Sequence, residues 1–466
     1  MKAQPFSAGA GPDFEASSTR GRIQLALGSF LKIPAALTRR LGFEARPLSA
    51  ARARVLENFF ALSSVQVTNY LLPLITVPYL LRVVGIEKYG LIAFAASLIQ
   101  YLISLTDYGF LLSAPREIAI HRDDKRKLSE IFVSVMVIKF CLMILSFLIL
   151  GVLVARVARF RTDWQLYLLT SGQVVGSVLS PFWFFQGIEK MKYITILNFV
   201  DRLFFTLALF LFIRKAQDYL YVPLLTSLGT IVAGLVGISI ALKGIEVTRE
   251  SFSVRTIFDQ LKKGWHVFVS AVAVTGYTTT RIFVVGIFTN PAITGAYALA
   301  EKLVNIIRTF PLVSLSQAAY PRLANMYAQT PRESYRAMRK LTNLTTAAFL
   351  VALPCFYFSA PTIIRVVAGE WNAQAVLVFR ILLASVLFVS ANTFPIQFLL
   401  VAGKEKIYSR VALLTSIVGV LLVLAGVYFF SYLGPPSALA GIELLALLLT
   451  VRALRQVKAQ LAGNAG

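Results

Sequence analysis

The sequence is poor in charged residues, cysteine and histidine, and each shortage excludes a class of protein. Only 15% of its 466 residues are charged and 57% are hydrophobic, which is unlike the composition of soluble domains. The two cysteines lie inside apolar runs and the two histidines form no cluster, so neither a disulfide framework nor the spacing of a zinc site is present. No glycine-rich loop ending in Lys-Ser or Lys-Thr is present, so the common nucleotide-binding fingerprint is missing. We therefore expect no metal, no cofactor and no ATP-driven pump.

Long apolar runs occupy most of the chain from residue 58 onward. A helix needs about 20 apolar residues to cross a bilayer core about 30 Å thick. The runs lack the alternation of apolar and polar residues that is typical of barrel strands, so we predict helices. The sequence therefore predicts an all-α integral membrane protein with about 12 transmembrane helices. The spans are expected at 58–83, 89–112, 131–155, 164–187, 193–213, 219–242, 264–288, 292–319, 342–361, 373–401, 407–431 and 436–454.

The predicted spans divide into two groups of six, which suggests two related halves. The first span of each half ends in Val-Val-Gly-Ile, at residues 83–86 and again at 284–287. A tyrosine beside small residues follows in both halves, as Tyr89-Gly90 and as Gly295-Ala296-Tyr297. An even number of spans per half relates the halves by an axis along the membrane normal. We expect two pseudo-symmetric six-helix bundles, 56–245 and 246–455, around a central cavity.

The net charge of +24 comes from 46 basic and only 22 acidic residues. In a soluble protein this surplus would indicate nucleic acid binding, but here the basic residues flank the apolar runs and face lipid headgroups. Lys and Arg number 20 in the even-numbered loops and eight in the odd-numbered loops. The positive-inside rule then places the even loops and both termini in the cytoplasm. The third loop, with Arg156, Arg159 and Arg161, argues against this assignment.

The two ends of the chain lie outside the predicted membrane body. Residues 1–55 are rich in arginine and poor in acids, and they contain no secretory signal. We expect a disordered basic cytoplasmic tail there that contacts the membrane surface; a transit peptide or an over-extended gene start is the alternative. Residues 456–466 are expected to form a short cytoplasmic tail.

Polar residues recur at helical spacing in four of the predicted spans, the first two of each half. Steps of three and four residues place each set on one face of its helix. Lipid would reject such faces, so we expect them to line a shared water-filled cavity. Hydrogen bonding between packed helices is the alternative for the neutral members. The sets are Gln66, Asn69, Pro73 and Thr76; Ser97, Gln100, Ser104 and Asp107; Ser270, Tyr277 and Arg281; and Glu301, Asn305 and Arg308.

Charged residues within the predicted spans indicate an anionic cargo, because cations outnumber acids. The cations are Lys139, Arg202, Arg281, Lys302, Arg308 and Arg380, and the acids are Asp107, Asp201, Glu301 and Glu443. Arginine presents a planar fork of donors that suits a phosphate or diphosphate. The residues predicted to bind substrate are Arg281, Arg308, Lys302, Arg202, Gln66, Asn69 and Gln100. Asp107 and Glu301 either carry a coupling proton or neutralise an arginine. Lys139 and Arg380 lie nearer their helix ends and can extend to the interface.

The fourth predicted span ends in an aromatic stretch, Pro181-Phe-Trp-Phe-Phe-Gln-Gly187. Aromatic residues at a span end are typical of an interfacial belt. Stacking on a sugar, or contact with a hydrocarbon tail, is the alternative.

Three stretches resemble bacterial O-antigen flippases of the multidrug, oligosaccharidyl-lipid and polysaccharide exporter superfamily. They are residues 69–90 (NYLLPLITVPYLLRVVGIEKYG), the run from Leu105 to Ala119, and residues 183–191 (WFFQGIEKM). The resemblance implies a V-shaped fold of two bundles with a cavity lined by the first two helices of each half. It also implies that undecaprenyl-diphosphate-linked O-antigen or exopolysaccharide units are moved from the cytoplasmic to the periplasmic face of the inner membrane. Alternating access would follow from rocking of the halves around Pro73 and Pro78.

The same resemblance implies a lipid-linked oligosaccharide substrate, with a polysaccharide polymerase and a chain-length regulator as further partners. Two other classes of protein remain open. A drug or cation antiporter of the same superfamily should have an acidic cavity, whereas the charges here are mainly basic. A membrane glycan polymerase or ligase should carry a large periplasmic loop, but the longest predicted outer loop, near 360–372, has only about a dozen residues. An enzyme is therefore not expected.

Overall fold

The computed structural model describes residues 50–248 and 251–463, with side chains at 72–248, 251–269, 271–272 and 279–459. Helices account for nearly all of these residues, and no strand occurs among them. The prediction of an all-α integral membrane protein is confirmed. The predicted tail at 1–55 falls largely outside the described residues, as do the side chains of Gln66, Asn69, Ser270 and Tyr277.

The first half of the chain begins with a long helix and continues through shorter ones. Its helices are α1 (Ala50–Asp107), α2 (Phe110–Ile120), α3 (Lys125–Arg156), α4 (Ala158–Arg161), α5 (Trp164–Leu179), α6 (Phe182–Gly187), α7 (Met191–Phe212) and α8 (Tyr221–Leu242). A 3₁₀ turn, Ala216–Leu220, precedes α8. The start of α3 is fixed by Asp124, whose side chain accepts a hydrogen bond from the Lys127 backbone at 3.0 Å.

The second half is built from six longer helices. They are α9 (Val254–Phe288), α10 (Pro291–Gln329), α11 (Pro331–Ala368), α12 (Ala373–Val401), α13 (Glu405–Phe430) and α14 (Gly434–Gly463). Asn290 and Asn372 cap α10 and α12, because each side chain accepts a hydrogen bond from a backbone N–H three residues later, at 2.9 and 2.8 Å. These caps fix where two spans begin.

Eight segments of the described chain are long and apolar enough to cross a membrane. Two of them, Leu72–Ile120 and Glu405–Ala459, have 49 and 55 residues, about twice what one crossing requires. Helix α10 contains no such segment, and in α9 the residues with described side chains include the shorter apolar stretch Thr279–Phe288. Helix α10 carries charged residues predicted to line the cavity, which lowers its hydropathy. The count of 12 spans in two bundles stays a prediction.

Gly85 interrupts α1 and separates the first two predicted spans. Its backbone has φ +81° and ψ 162°, a conformation that is essentially restricted to glycine. The same tetrapeptide in the second half behaves differently, because Gly286 remains inside α9. The sequence repeat therefore marks equivalent positions without imposing the same backbone.

The aromatic stretch at the end of the fourth predicted span belongs to the protein interior. Trp183, Phe184 and Phe185 are only 1–2% exposed, and Trp183 lies 5.5 Å from the ring of Phe132 in α3. The prediction of an interfacial belt is wrong. The chain breaks at Ser180 and Pro181, and this break lets α6 pack against α2 instead of ending in the headgroup region.

Helices of each half pack mainly on helices of the same half. In the first half α8 packs on α5 and α7; in the second, α12 packs on α10, α11 and α14. The largest buried cluster includes Tyr297 and Phe379 of the second half together with Val77 and Leu81 of α1. Helix α9 also contacts the first half, where it packs on α2 and α3.

Candidate functional site

The predicted site residue Arg281 forms a buried ion pair with Glu301, another predicted site residue. The pair joins α9 to α10, and the two residues are 4% and 6% exposed. Arg281 donates hydrogen bonds from Nε, at 3.0 Å, and from Nη2 to the same Oε1 atom of Glu301. Two opposite charges that neutralise each other in this way are typical of a structural pair in the membrane interior.

Arg308 is the second predicted cation that has an acidic partner. Its Nη2 donates to Asn305 Oδ1 at 2.8 Å, one turn earlier on the same helix. Its Nη1 lies 3.7 Å from Glu443 Oε1 in α14. Arg308 and Glu443 are 23% and 16% exposed, so this pair retains more contact with solvent than the Arg281 pair.

A pocket of about 230 Å³ with both polar and apolar lining residues lies within the first half. Lys139 Nζ donates to Asp107 Oδ1 and to the Ser177 carbonyl, each at 3.0 Å, while Asp201, Asn198 and other polar residues also line the pocket. Lys139 is 2% exposed, so the expectation that it extends to the interface is wrong. Helix α3 begins at Lys125 rather than near 131, which places Lys139 about 21 Å along the helix.

Arg202 and Lys302 are the predicted site cations that form no ion pair with an acid among the described residues, although the adjacent Asp201 carboxylate interacts electrostatically with Arg202. Arg202 Nε has no hydrogen-bonding partner in the described part of the chain. Arg202 lies in α7 of the first half and Lys302 in α10 of the second, and their charges repel each other. Arg202 is ten residues before the end of α7 at Phe212, and Lys302 is eleven after the start of α10 at Pro291. Both therefore lie about 15–16 Å from their helix ends, near the middle of a bilayer core.

The remaining predicted residues lie along α1. The side chain of Gln100 is exposed, whereas Pro73 is buried and Pro78 half-buried within α1. Gln66 and Asn69 lie where side chains are not described. Among the described residues no group of three or more His, Cys, Asp or Glu side chains could hold a metal ion.

The two halves meet where the small residues of the sequence repeat lie. Gly90 of α1 and Gly295 of α10 approach so closely that a Cβ on Gly90 would lie 2.6 Å from the Gly295 nitrogen. A Cβ on Gly295 would overlap the Ile86 carbonyl oxygen. Glycine is therefore required at both positions, because any side chain would force the helices apart.

Two arginines of the first half also bind helix ends of the second half. Arg82 donates to the Val366 carbonyl near the end of α11 at 2.6 Å. Arg159 donates to the Gly286 and Thr289 carbonyls at the end of α9, at 2.9 and 3.1 Å. A cation at a helix C-terminus satisfies free carbonyls and stabilises the helix dipole. Arg159 is one of the basic residues of the third loop that argue against the positive-inside assignment, and its contact with the end of α9 accounts for its presence there.

Helix α9 makes further contacts with the first half. Tyr101 and Thr280 share a hydrogen bond at 2.6 Å between their hydroxyls, and Phe283 stacks on Phe94 at 5.7 Å. Further along, Tyr108 stacks on Phe268 with ring centroids 4.6 Å apart. The halves are thus joined along α1 and α9.

Comparisons with known proteins give one family and several similar folds. The family described as "Polysaccharide biosynthesis protein" matches residues 55–327. A protein named "Putative O-antigen transporter" from Escherichia coli (strain K12) is 27% identical over 405 residues, covering 86% of this chain and 97% of that protein.

Two solved structures share the fold at low sequence identity. One is an inward-facing multidrug resistance MATE family transporter of the MOP superfamily, with TM-score 0.69, 12% identity and coverage of 87% of this chain and 100% of that chain. The other is the lipid II flippase MurJ in an inward closed conformation, with TM-score 0.69, 14% identity and coverage of 84% and 87%. The fold is therefore that of a membrane transporter.

Proposed function

Because the chain belongs to the polysaccharide biosynthesis protein family, we propose that it moves undecaprenyl-diphosphate-linked oligosaccharide across a bacterial inner membrane. The chain is a multi-pass membrane transporter and not an enzyme. A relative named as an O-antigen transporter and a lipid II flippase of the same fold support a lipid-linked cargo. They support this cargo over the drug or cation of a related antiporter. The proposed direction is from the cytoplasmic to the periplasmic face, with both termini in the cytoplasm.

The observation that carries this proposal is a pair of cations at mid-membrane depth that form no ion pair with an acid among the described residues. A diphosphate cannot enter hydrocarbon without compensation for its charge. Arg281, Arg308 and Lys139 form ion pairs with acids. Arg202 and Lys302 form none in the described part of the chain, and the nearby acid is Asp201, adjacent to Arg202. A diphosphate between Arg202 and Lys302 would neutralise both and remove their mutual repulsion. We therefore assign the diphosphate to these two residues ahead of Arg281 and Arg308.

In the proposed transport cycle, the junction between the halves closes the periplasmic side of the protein. On the proposed topology Gly85, Gly90 and Gly295 lie at the periplasmic ends of their helices. The tight contact of Gly90 with Gly295 then keeps that side shut, which suits a state ready to accept cargo from the cytoplasm. Both similar structures described above are inward conformations, which supports this assignment. Rocking of bundles 56–245 and 246–455, with bending near Pro73 and Pro78, would open the other side.

The proposed cargo suggests the energy source of transport and the proteins that act on its product. With no nucleotide-binding fingerprint in the sequence, transport would be driven by an ion gradient, by the membrane potential or by consumption of the product. A polysaccharide polymerase and a chain-length regulator would consume the product outside. Asp107 and Glu301 are both paired with cations, so we propose that they balance charge.

A transport assay with the full chain in liposomes tests the proposal. The probe is fluorescent undecaprenyl-diphosphate oligosaccharide, and a membrane-impermeant glycosidase reports the fraction that has crossed. Loss of one hydrogen bond to a charged group predicts a rate about tenfold lower for Arg202→Gln or Lys302→Gln. Arg214→Gln, exposed just beyond the end of α7, is the matched control and should transport normally.

The assay also separates the competing explanations. Normal transport by the Arg202→Gln, Lys302→Gln double variant would exclude these residues as the diphosphate site. Failure of the wild-type chain to move the probe, together with export of a cationic dye, would overturn the flippase proposal in favour of an antiporter.

A further inference from the structure

An apolar groove of about 420 Å³ runs between α11 and α12 of the second half. Its walls include Leu350, Leu353 and Leu387, and Leu350 is 60% exposed although it is fully aliphatic. The lining from Leu350 to Phe358 covers nine residues of α11, or about 12 Å along the helix. An exposed apolar channel of this length within a transmembrane segment fits part of a hydrocarbon chain.

The groove contains one charged residue, Arg380. It is seven residues from the start of α12 at Ala373, so it lies about 10 Å along the helix. Its Nε donates to the Tyr357 carbonyl at 3.2 Å, and its Cζ lies 4.7 Å from the centre of the Tyr357 ring. Over the described residues no acid pairs with Arg380, and its two terminal nitrogens have no hydrogen-bonding partner.

We propose that this groove binds a phosphate-bearing membrane lipid, with the phosphate on Arg380 and one hydrocarbon chain along the leucine wall. A cation inside a transmembrane segment is costly unless it meets an anion. The contacts with Tyr357 hold the guanidinium beside the groove. A guanidinium with two free donors suits a phosphate oxygen pair. On the proposed topology the lipid lies in the periplasmic leaflet.

A photolabelling experiment on the full chain in liposomes tests this site independently of transport. The probe is a phospholipid with a diazirine in one acyl chain, and mass spectrometry locates the labelled peptides. We expect labelling of peptides containing Leu350–Phe358 and Arg380–Phe388. Arg380→Gln should reduce this labelling about tenfold, because a charge-assisted contact is lost. Arg365→Gln, exposed near the end of α11, should leave it unchanged.

Two further measurements make the outcome decisive. A diacylglycerol with the same photoreactive chain but no phosphate should label the wild-type groove about tenfold less than the phospholipid. Ala384→Trp places a large ring in the groove while Arg380 stays, and it should abolish labelling there. Equal labelling by the two lipids, unchanged labelling in Arg380→Gln, or persistent labelling in Ala384→Trp would each overturn the proposal.

Discussion

The buried pair of Arg281 and Glu301 gives a quantitative prediction about stability. The two residues are 4% and 6% exposed, and both hydrogen bonds of the pair converge on one carboxylate oxygen. Removing one partner leaves an uncompensated buried charge, which costs about 3–5 kcal/mol. We expect Glu301→Gln to lower the free energy of unfolding by about this amount. The double variant with Arg281→Gln should lose less than the sum of the single variants, since no buried charge is left.

Unfolding of the purified protein by denaturant in detergent micelles measures the change. Glu370→Gln, which removes an exposed carboxylate, is the control and should leave the unfolding free energy unchanged. The double variant should retain most of its transport because Arg202 and Lys302 are untouched. If Glu301→Gln were as stable as the wild type, the pair would not be structural. Equal loss of transport in the double variant and in Arg281→Gln would instead favour direct contact of Arg281 with the cargo.

Three more predictions concern the first half and the junction. Asp107→Asn leaves the ammonium of Lys139 buried without an acid, so the unfolding free energy should fall by about 3 kcal/mol in the same denaturant assay. Gly295→Ala should separate the halves, because the added Cβ would overlap a backbone oxygen. A cysteine that replaces the buried Thr280 reports this separation, because it should react faster with an impermeant thiol reagent when the halves move apart. Arg159→Gln removes two bonds to the end of α9 and should accelerate the same reaction to a smaller extent.

Exposed charged residues and a glycine with open space around it provide matched controls for these three variants. Asp259→Asn removes an exposed acid and should not change stability, and a stable Asp107→Asn would refute the structural role of its pair. Gly151→Ala adds a Cβ with open space around it, and Arg156→Gln removes an exposed arginine of the same loop. The cysteine measurements require Cys141 and Cys355 to be replaced. A labelling rate that stays the same in Gly295→Ala would contradict the close approach.

Hydropathy and residue spacing were sufficient to predict the class of fold. Runs of about 20 apolar residues permit helices and little else in a bilayer, so the all-helical fold followed from composition. The repeat in the sequence predicted two related halves, and the structure shows that Gly90 and Gly295 of this repeat also lie where the halves meet. Small residues at equivalent positions are informative because only they let two backbones approach closely.

The partners of the charged residues could not be predicted in the same way. Spacing along one helix does not determine which helix lies opposite, so the pairing of Arg281 with Glu301 and of Lys139 with Asp107 was open. The presence of both acids and cations in the spans indicated that some of them neutralise each other, because an isolated charge inside a membrane is costly. The aromatic stretch at Trp183 was misassigned because a proline break redirected its helix towards the interior. The lack of an ion pair at Arg202 and Lys302, within the part of the chain that the structure describes, became visible only in three dimensions.

The most direct test of the account is the sidedness of the lipid-linked oligosaccharide in cells that lack this gene. Radiolabelled undecaprenyl-diphosphate oligosaccharide would be isolated, and its exposure on each face of the inner membrane would be measured with an impermeant glycosidase. The account predicts that complete repeat units accumulate on the cytoplasmic face, and that the wild-type gene relieves this accumulation. It also predicts that the gene carrying Arg202→Gln and Lys302→Gln does not. Normal appearance of the units on the periplasmic face in the deletion strain would contradict the proposed function.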